Sequence, residues 1–330
     1  MRRPKRSPRV ATLCVLGRRA MAASSAPSRS RLMTQAADAI AGAAGWQALD
    51  ALLLPGGFFR LGRFLGPLDY DERKAALEAM PAVQAAIRAA QSLQQASPGC
   101  LVIFGADSWS PRRWEYGDQF CVAVDAAGVV GLSRKIILTE RDSIHCRRVY
   151  VPYADDYKAP ERFVRLRSGH QAVLCSCFDM FGICGSDSQL ARRGRAIRDL
   201  HFGNGSPRIE ERGFNLLREF RLALWQRLLD QSQPSVAFAA IHDFRAPGRD
   251  GYWQRHGIAV ASAAIGGLAI GAAHFALRLP TLRSSTLCAS AVPRRALREG
   301  AARGAYRFMP IDSLSIHLGR QRALARLFAP

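Results

Sequence analysis

The sequence predicts an α/β protein built around a mixed β-sheet. Short apolar runs typical of buried strands alternate with longer stretches in which apolar residues recur at helical spacing. Two pairs of short runs are joined by turn-forming segments, which indicates antiparallel hairpins beside parallel strands. The 330 residues are 48% hydrophobic, which is enough to bury a large core. Two sheets enclosed by helix layers would accommodate this order of elements.

The first half of the chain is expected to supply most of the strands. Buried strands are predicted at 9–16, 49–54 and 100–105, and helices at 31–44 and 71–97. The strand at 49–54 stops at Pro55-Gly56-Gly57 and should deliver a loop, and Pro81 should break or restart the second helix. A hairpin is predicted between 119–124 and 129–132, followed at once by an apolar strand at 136–138.

The second half repeats the same kinds of element. A second hairpin should join 163–167 to 171–175 through Ser168-Gly169, and a long helix at 211–230 should lead into a buried strand at 235–241. Residues 252–264 are expected to be helical. The apolar segment 258–275 is short for a membrane span, is rich in Ala and Gly, and is interpreted as a buried passage from helix to strand.

The net charge of +21 raises the question of a nucleic-acid partner. Only four of the 47 basic residues are lysines, and the arginines are scattered among many alanines, as a GC-rich coding bias would give. A basic surface by itself gives only non-specific, salt-sensitive attraction to nucleic acid. Since no DNA- or RNA-binding signature accompanies the charge, we expect no specific nucleic-acid partner and no membrane partner.

The eight cysteines lie mostly within apolar runs, with no CxxC pair and no zinc-ligand spacing. We therefore expect reduced thiols, no metal and a cytoplasmic location. Residues 1–37 contain no acidic residue and resemble a transit peptide. The apolar run at 10–16 favours a different interpretation, namely a first strand behind a basic leader at residues 1–8.

Two residues suggest chemistry. Lys135 precedes an apolar run, where a buried ammonium would need an anionic partner or a role in stabilising an oxyanion, although a lysine snorkelling at a strand end is the alternative. Cys177 ends the apolar run Ala172-Val-Leu-Cys-Ser-Cys177, where a strand end can expose a nucleophilic sulfur, although a buried core cysteine is the alternative. A nearby lysine would favour the thiolate.

Taken together, three segments resemble the nitrilase (carbon–nitrogen hydrolase) superfamily. The stretch 119–138, QFCVAVDAAGVVGLSRKIIL, is similar to the family's hairpin with a D-x-x-G turn that leads to Arg-Lys. The stretch 171–181 resembles the family's strand followed by Cys, an aromatic residue and an acid, and the separation of Lys135 from Cys177 fits the family. Upstream, the run ending at Pro55 resembles the strand that carries the family's first catalytic glutamate.

The resemblance implies a four-layer α-β-β-α sandwich, homodimeric or larger, with a hydrolase domain at 9–275. The remaining residues, 276–330, would form a C-terminal strand and tail at a subunit interface. The implied reaction is hydrolysis of a non-peptide carbon–nitrogen bond of a small amide or nitrile without any cofactor. Cys177 would form a thioester and Lys135 would stabilise the oxyanion. The string Cys177-Phe-Asp179 is more similar to amidases and carbamoylases than to nitrile-cleaving relatives.

The chain departs from the family at Gly56, where the family pattern has the glutamate that serves as general base. Glycine cannot take a proton, and no acid lies between Asp50 and Asp69. Glu140 matches the family's second glutamate and is either a substitute or a solvated turn residue. The departure leaves open a catalytically inactive relative that binds a small molecule or a protein.

Several other residues are candidates for the site. Cys175 and Cys184 compete with Cys177, which is preferred because Phe178 and Asp179 follow it. Phe178, Trp253 and His256 are candidates for substrate binding, since in family members the helix near 251–257 can shape the pocket. His242 could also bind a ligand, although packing and hydrogen bonds more often account for such a histidine.

Overall fold

The computed structural model describes most of the chain, in twelve stretches: residues 6–17, 26–62, 65, 68–110, 115–137, 154–183, 211–245, 249–276, 278–280, 287–291, 310–319 and 321–330. Within these stretches, no helix is long and apolar enough to cross a membrane. The cysteines Cys14, Cys100, Cys121, Cys175, Cys177 and Cys288 are all free and buried.

The strands are β1 (Val10–Leu16), β2 (Ala51–Leu53), β3 (Phe59–Leu61), β4 (Leu101–Ser110), β5 (Glu115–Val124), β6 (Val129–Arg134), β7 (Phe163–Arg165), β8 (Gln171–Ser176), β9 (Val236–Phe244), β10 (Leu268–Phe275), β11 (Cys288–Ser290), β12 (Asp312–Leu318) and β13 (Gln321–Phe328). The helices are α1 (Ala26–Gly42), α2 (Tyr70–Glu78), α3 (Pro81–Gln94), α4 (Glu211–Ser232), α5 (Arg249–Trp253) and α6 (Ala259–Ile265), with short 3₁₀ turns at Ala154–Tyr157, Pro160–Arg162 and Cys177–Gly182.

The strands form one mixed sheet with the order β6-β5-β4-β2-β1-β10-β9-β8-β7, and not two separate sheets. The halves meet at β1, which pairs in parallel with β2 through Val10–Thr12 and with β10 through Val15–Leu16. On its other side β1 pairs with the antiparallel strand β13. The two halves diverge along β1, and this lets one continuous sheet fold over on itself.

The buried residues fall into three layers of core, which confirms the predicted four-layer α-β-β-α sandwich. One cluster lies between the two halves of the sheet and includes Ile103, Leu174 and Phe238. A second lies between the first half and the helices α1 and α3, and a third lies between the second half and the helices α4 and α6. Strands buried on both faces explain why their sequences are continuous apolar runs.

Both predicted hairpins are confirmed as β5–β6 and β7–β8. The predicted strand at 136–138 is wrong, because Ile136 and Ile137 lie in a loop and give their backbone N–H groups to a carboxylate instead of to a neighbouring strand. The helix predicted at 252–264 is interrupted by a π-helical turn at Gln254–Ile258, between α5 and α6. Most of α6 and all of β10 are buried, as expected for 258–275, but the turn between them is not, since Gly266 is exposed and its neighbours are half-buried.

The C-terminal strands belong to the same sheet as the rest of the chain. β13 pairs with β1 over six residues and with β12, while β11 pairs with β10. At the other end, Arg6 donates hydrogen bonds to the Ala48 carbonyl and to Asp50. The boundaries at 8/9 and 275/276 remain predictions, but the strand predicted after 275 pairs with the first strand of the domain.

Candidate active site

Cys177 lies directly after β8, at the first position of the 3₁₀ turn Cys177–Gly182. Its φ of 50° is in the left-handed region, which costs a residue other than glycine about 1–3 kcal/mol and tends to occur at functional sites. The side chain is buried and 8% of the residue is exposed. A cysteine held in this conformation at a strand end is turned out of the strand alternation that keeps Cys175 fully buried in the core.

Asp179 explains why the acid after Cys177 matters. It is completely buried, and its Oδ1 accepts hydrogen bonds from the backbone N–H of Ile136 at 2.9 Å and of Ile137 at 2.8 Å. Its Oδ2 lies 3.6 Å from a guanidinium nitrogen of Arg162. The carboxylate therefore ties the turn that carries Cys177 to the loop that carries Lys135.

Lys135 follows β6 and is buried, with 2% of the residue exposed, so the alternative of a snorkelling, solvated lysine is wrong. Its Nζ donates a hydrogen bond of 2.9 Å to Oε1 of Gln119 on β5. Its positive charge is among the influences that lower the pKa of the Cys177 thiol. The structure thus brings together the two residues that the sequence paired.

A buried ion network supports the end of β6. Arg134 bridges Asp118 at 2.6 Å and Asp156 at 2.5 Å, and all three side chains are almost fully buried. Arg73 reaches Asp156 at 3.2 Å, and Arg162 donates to the Arg134 carbonyl oxygen. Removing one member would leave uncompensated buried charge beside Lys135.

His242 on β9 is the neighbour of Cys177 that the sequence did not identify as catalytic. Its Nε2 lies 2.8 Å from Oδ1 of Asp107 on β4, which joins the two halves of the sheet. A side-chain hydrogen bond links His242 to the Cys177 sulfur, and the backbone N–H of His242 also donates to that sulfur. Because Nε2 is engaged by Asp107, the ring nitrogen left for Cys177 is Nδ1.

The pKa shifts of this pair oppose the effect of burial. Burial disfavours the thiolate of Cys177, but the His242 hydrogen bond and the charge of Lys135 outweigh it and hold the pKa of the thiol below its ordinary value. Burial also acts to lower the pKa of His242, but the Asp107 carboxylate, with Cys177, raises it to about 9. The two shifts therefore favour a thiolate on Cys177 together with an imidazolium on His242.

Gly56 lies against His242. Its backbone N–H donates to the Ile241 carbonyl oxygen at 2.9 Å, which presses the loop after β2 onto β9. A Cβ built on Gly56 would stand 2.9 Å from Nδ1 of His242 and 2.5 Å from the Ala240 carbonyl oxygen, and both distances are too short. A glutamate at this position would collide with β9, so the substitution Gly56→Glu cannot simply restore the family's base.

The other predicted site residues have mixed outcomes. The ring of Phe178 stacks on Phe181 and meets Trp253 edge-on at 5.2 Å, so these two predicted pocket residues contact each other at the buried cluster that contains Cys177. His256 follows Trp253 on the π-helical turn, and its ring centroid lies 4.8 Å from that of Tyr252. Glu140 and Cys184 lie outside the described residues.

Sequence reasoning treated His242 as a ligand-binding candidate and did not consider Asp107. The pair is separated by 135 positions, so no local pattern joins them. The sequence did carry one indication of this site. Gly105 within β4 and the dipeptide Gly56-Gly57 indicate positions where two backbones approach closely. Among the described residues, no three His, Cys, Asp or Glu side chains form a cluster that could hold a metal ion.

No protein-family model matches this chain, and no curated protein matches it by sequence. A solved structure that is similar is an amidase from Nesterenkonia sp., with 12% identity over 100% of this chain and 92% of that chain and a TM-score of 0.48. Another is a cysteine-to-alanine variant of the Nesterenkonia AN1 amidase from the nitrilase superfamily, with 11% identity over 98% and 92% and a TM-score of 0.49. These likenesses concern the fold and carry no argument about activity.

Proposed function

We propose that this chain is a nitrilase-superfamily hydrolase that cleaves a non-peptide carbon–nitrogen bond, with an amide as its substrate class. The observation that carries the proposal is the placement of the Cys177 sulfur. It sits at a strand end in a left-handed backbone conformation, with the positive charges of His242 and Lys135 favouring its thiolate. A buried structural cysteine has no need of such surroundings, as the raised pKa of the Cys175 thiol illustrates.

In this proposal, the Cys177 thiolate attacks the carbonyl carbon of the amide. The carbonyl oxygen becomes an oxyanion, which the Lys135 ammonium stabilises. Collapse of this intermediate expels the amine and leaves a thioester on Cys177, and water then releases the carboxylic acid. The chemistry requires no metal or cofactor. Phe178 and Trp253 contact each other at the buried cluster that contains Cys177, and such an apolar surface suits a small substrate with an apolar portion.

The alternative, a catalytically inactive relative, was favoured by Gly56. The structure weakens that argument, because the space beside Gly56 is filled by the imidazole that contacts Cys177. A relative that had lost its catalytic base would not be expected to retain surroundings that favour the thiolate of a buried cysteine. Inactivity therefore becomes an outcome of the test.

We further propose a homodimer or larger assembly of this chain in the cytoplasm, as the family resemblance implies. Glu140 is retained as a candidate catalytic residue and His256 as a candidate substrate contact. Sedimentation at micromolar concentration tests the assembly, and a monomer of 36.1 kDa would count against it.

The hydrolase proposal is tested with a panel of small aliphatic and aromatic amides and the matching nitriles. We expect ammonia release with at least one amide, and mass spectrometry should find an acyl group on Cys177 before it is hydrolysed. Cys177→Ala should lose both signals. Cys175→Ser, which changes a buried thiol two positions away, should keep both if it folds.

If no amide or nitrile acylates Cys177, and the protein binds such compounds without turnover, the inactive alternative is correct. If the acyl group appears on Cys175 or Cys184 instead, the assignment of the nucleophile is wrong. Brief treatment with iodoacetamide gives an independent answer, since Cys177 should be alkylated before either of them.

A further inference from the structure

We propose that His242, oriented by Asp107, is the general acid and general base of this site and takes the place of the carboxylate that Gly56 lacks. The inference rests on the proposed function, because it assigns the proton transfers of that reaction. It gives the site a Cys177–His242–Asp107 arrangement in which His242 is a catalytic residue and Asp107 is a positioning residue.

The first support is the hydrogen-bond chain. Oδ1 of Asp107 lies 2.8 Å from Nε2 of the imidazole, and the side chain of His242 is hydrogen-bonded to the Cys177 sulfur. A base in direct contact with the nucleophile, itself oriented by a third group, is the arrangement that nucleophilic catalysis by cysteine requires. Asp107 is 16% exposed in its side chain and His242 is 7% exposed, so water only weakly competes for this chain of contacts.

The second support is steric, and it makes glutamate and histidine mutually exclusive. A Cβ on Gly56 would lie 2.9 Å from Nδ1 of His242. A Cβ on Gly57 would lie 2.7 Å from Oδ2 of Asp107 and 3.0 Å from Cδ2 of His242. A Cβ on Gly105 would lie 2.3 Å from Cα of Gly56. Three glycines thus leave room for the imidazole–carboxylate pair at the place where a side chain on residue 56 would begin.

The third support is a bulge in β9. Ile241 pairs with Ala273 and Asp243 pairs with His274, so His242 has no register partner on β10. A bulge leaves one residue unpaired and re-aims its side chain, and such bulges occur often beside active sites. Here the bulged residue is the one whose imidazole reaches both Asp107 and Cys177.

The surrounding charges are compatible with this role. Around the pair lie Lys135 on the loop after β6, Asp179 with Arg162 behind the Cys177 turn, Asp243 near the end of β9 with Arg245 just after it, and His274 with Arg29 behind β10. The carboxylate of Asp107 contacts the His242 ring. Asp179 is engaged by Arg162 and two backbone N–H groups, and Asp243 is engaged by Arg245.

The proton balance closes with these groups alone. The Cys177 thiolate forms the carbon–sulfur bond, and the protonated His242 gives its Nδ1 proton to the leaving nitrogen as the carbon–nitrogen bond breaks. Neutral His242 then takes a proton from water while the water oxygen attacks the thioester carbon. The carbon–sulfur bond breaks, the acid leaves, and the thiolate and protonated His242 are restored. The sum is amide plus water giving acid plus amine.

The test compares His242→Gln with His317→Gln, a matched change at an exposed histidine on β12. The rate of Cys177 alkylation by iodoacetamide is followed across about pH 5 to 10 by mass spectrometry. We expect the midpoint of the wild-type profile to lie below that of an ordinary thiol and to move upward in His242→Gln. Amide turnover should fall by about 10² to 10⁴-fold, the usual contribution of general acid–base catalysis. His317→Gln should match the wild type in both.

Asp107→Asn, with Asp38→Asn on the exposed face of α1 as its control, gives a second readout if His242→Gln fails to fold. The asparagine keeps the size of the side chain but removes the charge, so the midpoint should again move upward. A midpoint that stays at the wild-type position in a folded His242→Gln or Asp107→Asn protein overturns the inference. A wild type that never acquires an acyl group on Cys177 instead counts against the hydrolase proposal.

Discussion

Two buried histidines in the described part of the chain, His242 on β9 and His274 on β10, lie side by side, and their pKa values are shifted in opposite directions. Nδ1 of His274 lies 2.8 Å from the His242 carbonyl oxygen, so the two residues are in direct contact. Asp107 and Cys177 raise the pKa of His242 to about 9, against its burial. Burial, followed by the charge of Arg29, lowers the pKa of His274 to about 3.

The difference shows that an anionic partner, and not burial itself, decides the charge of a histidine in this sheet. His242 is set up to exchange a proton, whereas His274 is a neutral donor that braces the bulge beneath it. These pKa shifts make the contribution of each histidine to the free energy of unfolding depend on pH. His242 contributes stability below about pH 6.5 that is lost as the pH rises through about 9, and His274 contributes stability above about pH 6.5 that is lost as the pH falls toward about 3.

The largest expected effect concerns His274 in acid. The unfolded chain binds a proton at this residue below about pH 6.5 and the folded chain does not, so the free energy of unfolding should fall by ~3 kcal/mol between about pH 6.5 and 4 from this group alone. His274→Gln keeps a donor for the His242 carbonyl but removes the titration. Urea unfolding across this range should therefore show a flatter acid dependence for the variant.

His317→Gln is the matched control, since this exposed histidine should leave the acid dependence of unfolding unchanged. If His274→Gln loses stability in acid as steeply as the wild type does, His274 is not held neutral, and the contrast with His242 disappears.

The next effect concerns the close packing around His242. Gly56→Ala places a Cβ 2.5 Å from a backbone oxygen of β9 and 2.9 Å from the imidazole, so backbone must shift. We expect a loss of ~1–3 kcal/mol in the free energy of unfolding, as for other overpacked sites, together with slower alkylation of Cys177. Gly42→Ala at the end of α1, where nothing lies within 4 Å of the new Cβ, should show neither change. An unperturbed Gly56→Ala protein would mean that residue 56 is not adjacent to His242.

The smallest effect concerns Lys135. Its charge follows the His242 hydrogen bond among the influences that favour the Cys177 thiolate. Lys135→Met should slow the alkylation of Cys177 about threefold to tenfold, equal to ~1 kcal/mol, and by less than His242→Gln does. Lys158→Met removes an exposed lysine paired with Asp155 and is the control. A larger effect from Lys135 than from His242 would reverse the ranking of the two partners.

The sequence predicted the fold where local patterns carry it. The β5–β6 hairpin, the end of β8 and the break at Pro81 follow from turn chemistry and proline geometry within a few residues. It also paired Lys135 with Cys177, since both sit in recognisable segments. It failed at Ile136 and Ile137, where a carboxylate 42 to 43 positions away takes the N–H groups that a strand would have used.

The base of the site could not be read from the sequence for a related reason. A β-bulge orients His242, and Asp107 contacts it across the two halves of the sheet. Neither the bulge nor the distant contact produces a recognisable pattern in the sequence around His242. The absence of a glutamate at Gly56 was visible, but its meaning depends on which side chain occupies the space. The structure shows that the glycine accommodates an imidazole.

The most direct test of the account is a nuclear magnetic resonance titration of the imidazole nitrogens in protein labelled at histidine. The spectra of His242→Gln and His274→Gln assign the two signals. At about pH 7.5 we predict that His242 is protonated on both nitrogens and that His274 is neutral, with its proton on Nδ1. The His242 signal should change only as the pH approaches about 9. A neutral His242 at about pH 7.5 in the folded wild type would contradict the thiolate–imidazolium pair and the role assigned to it.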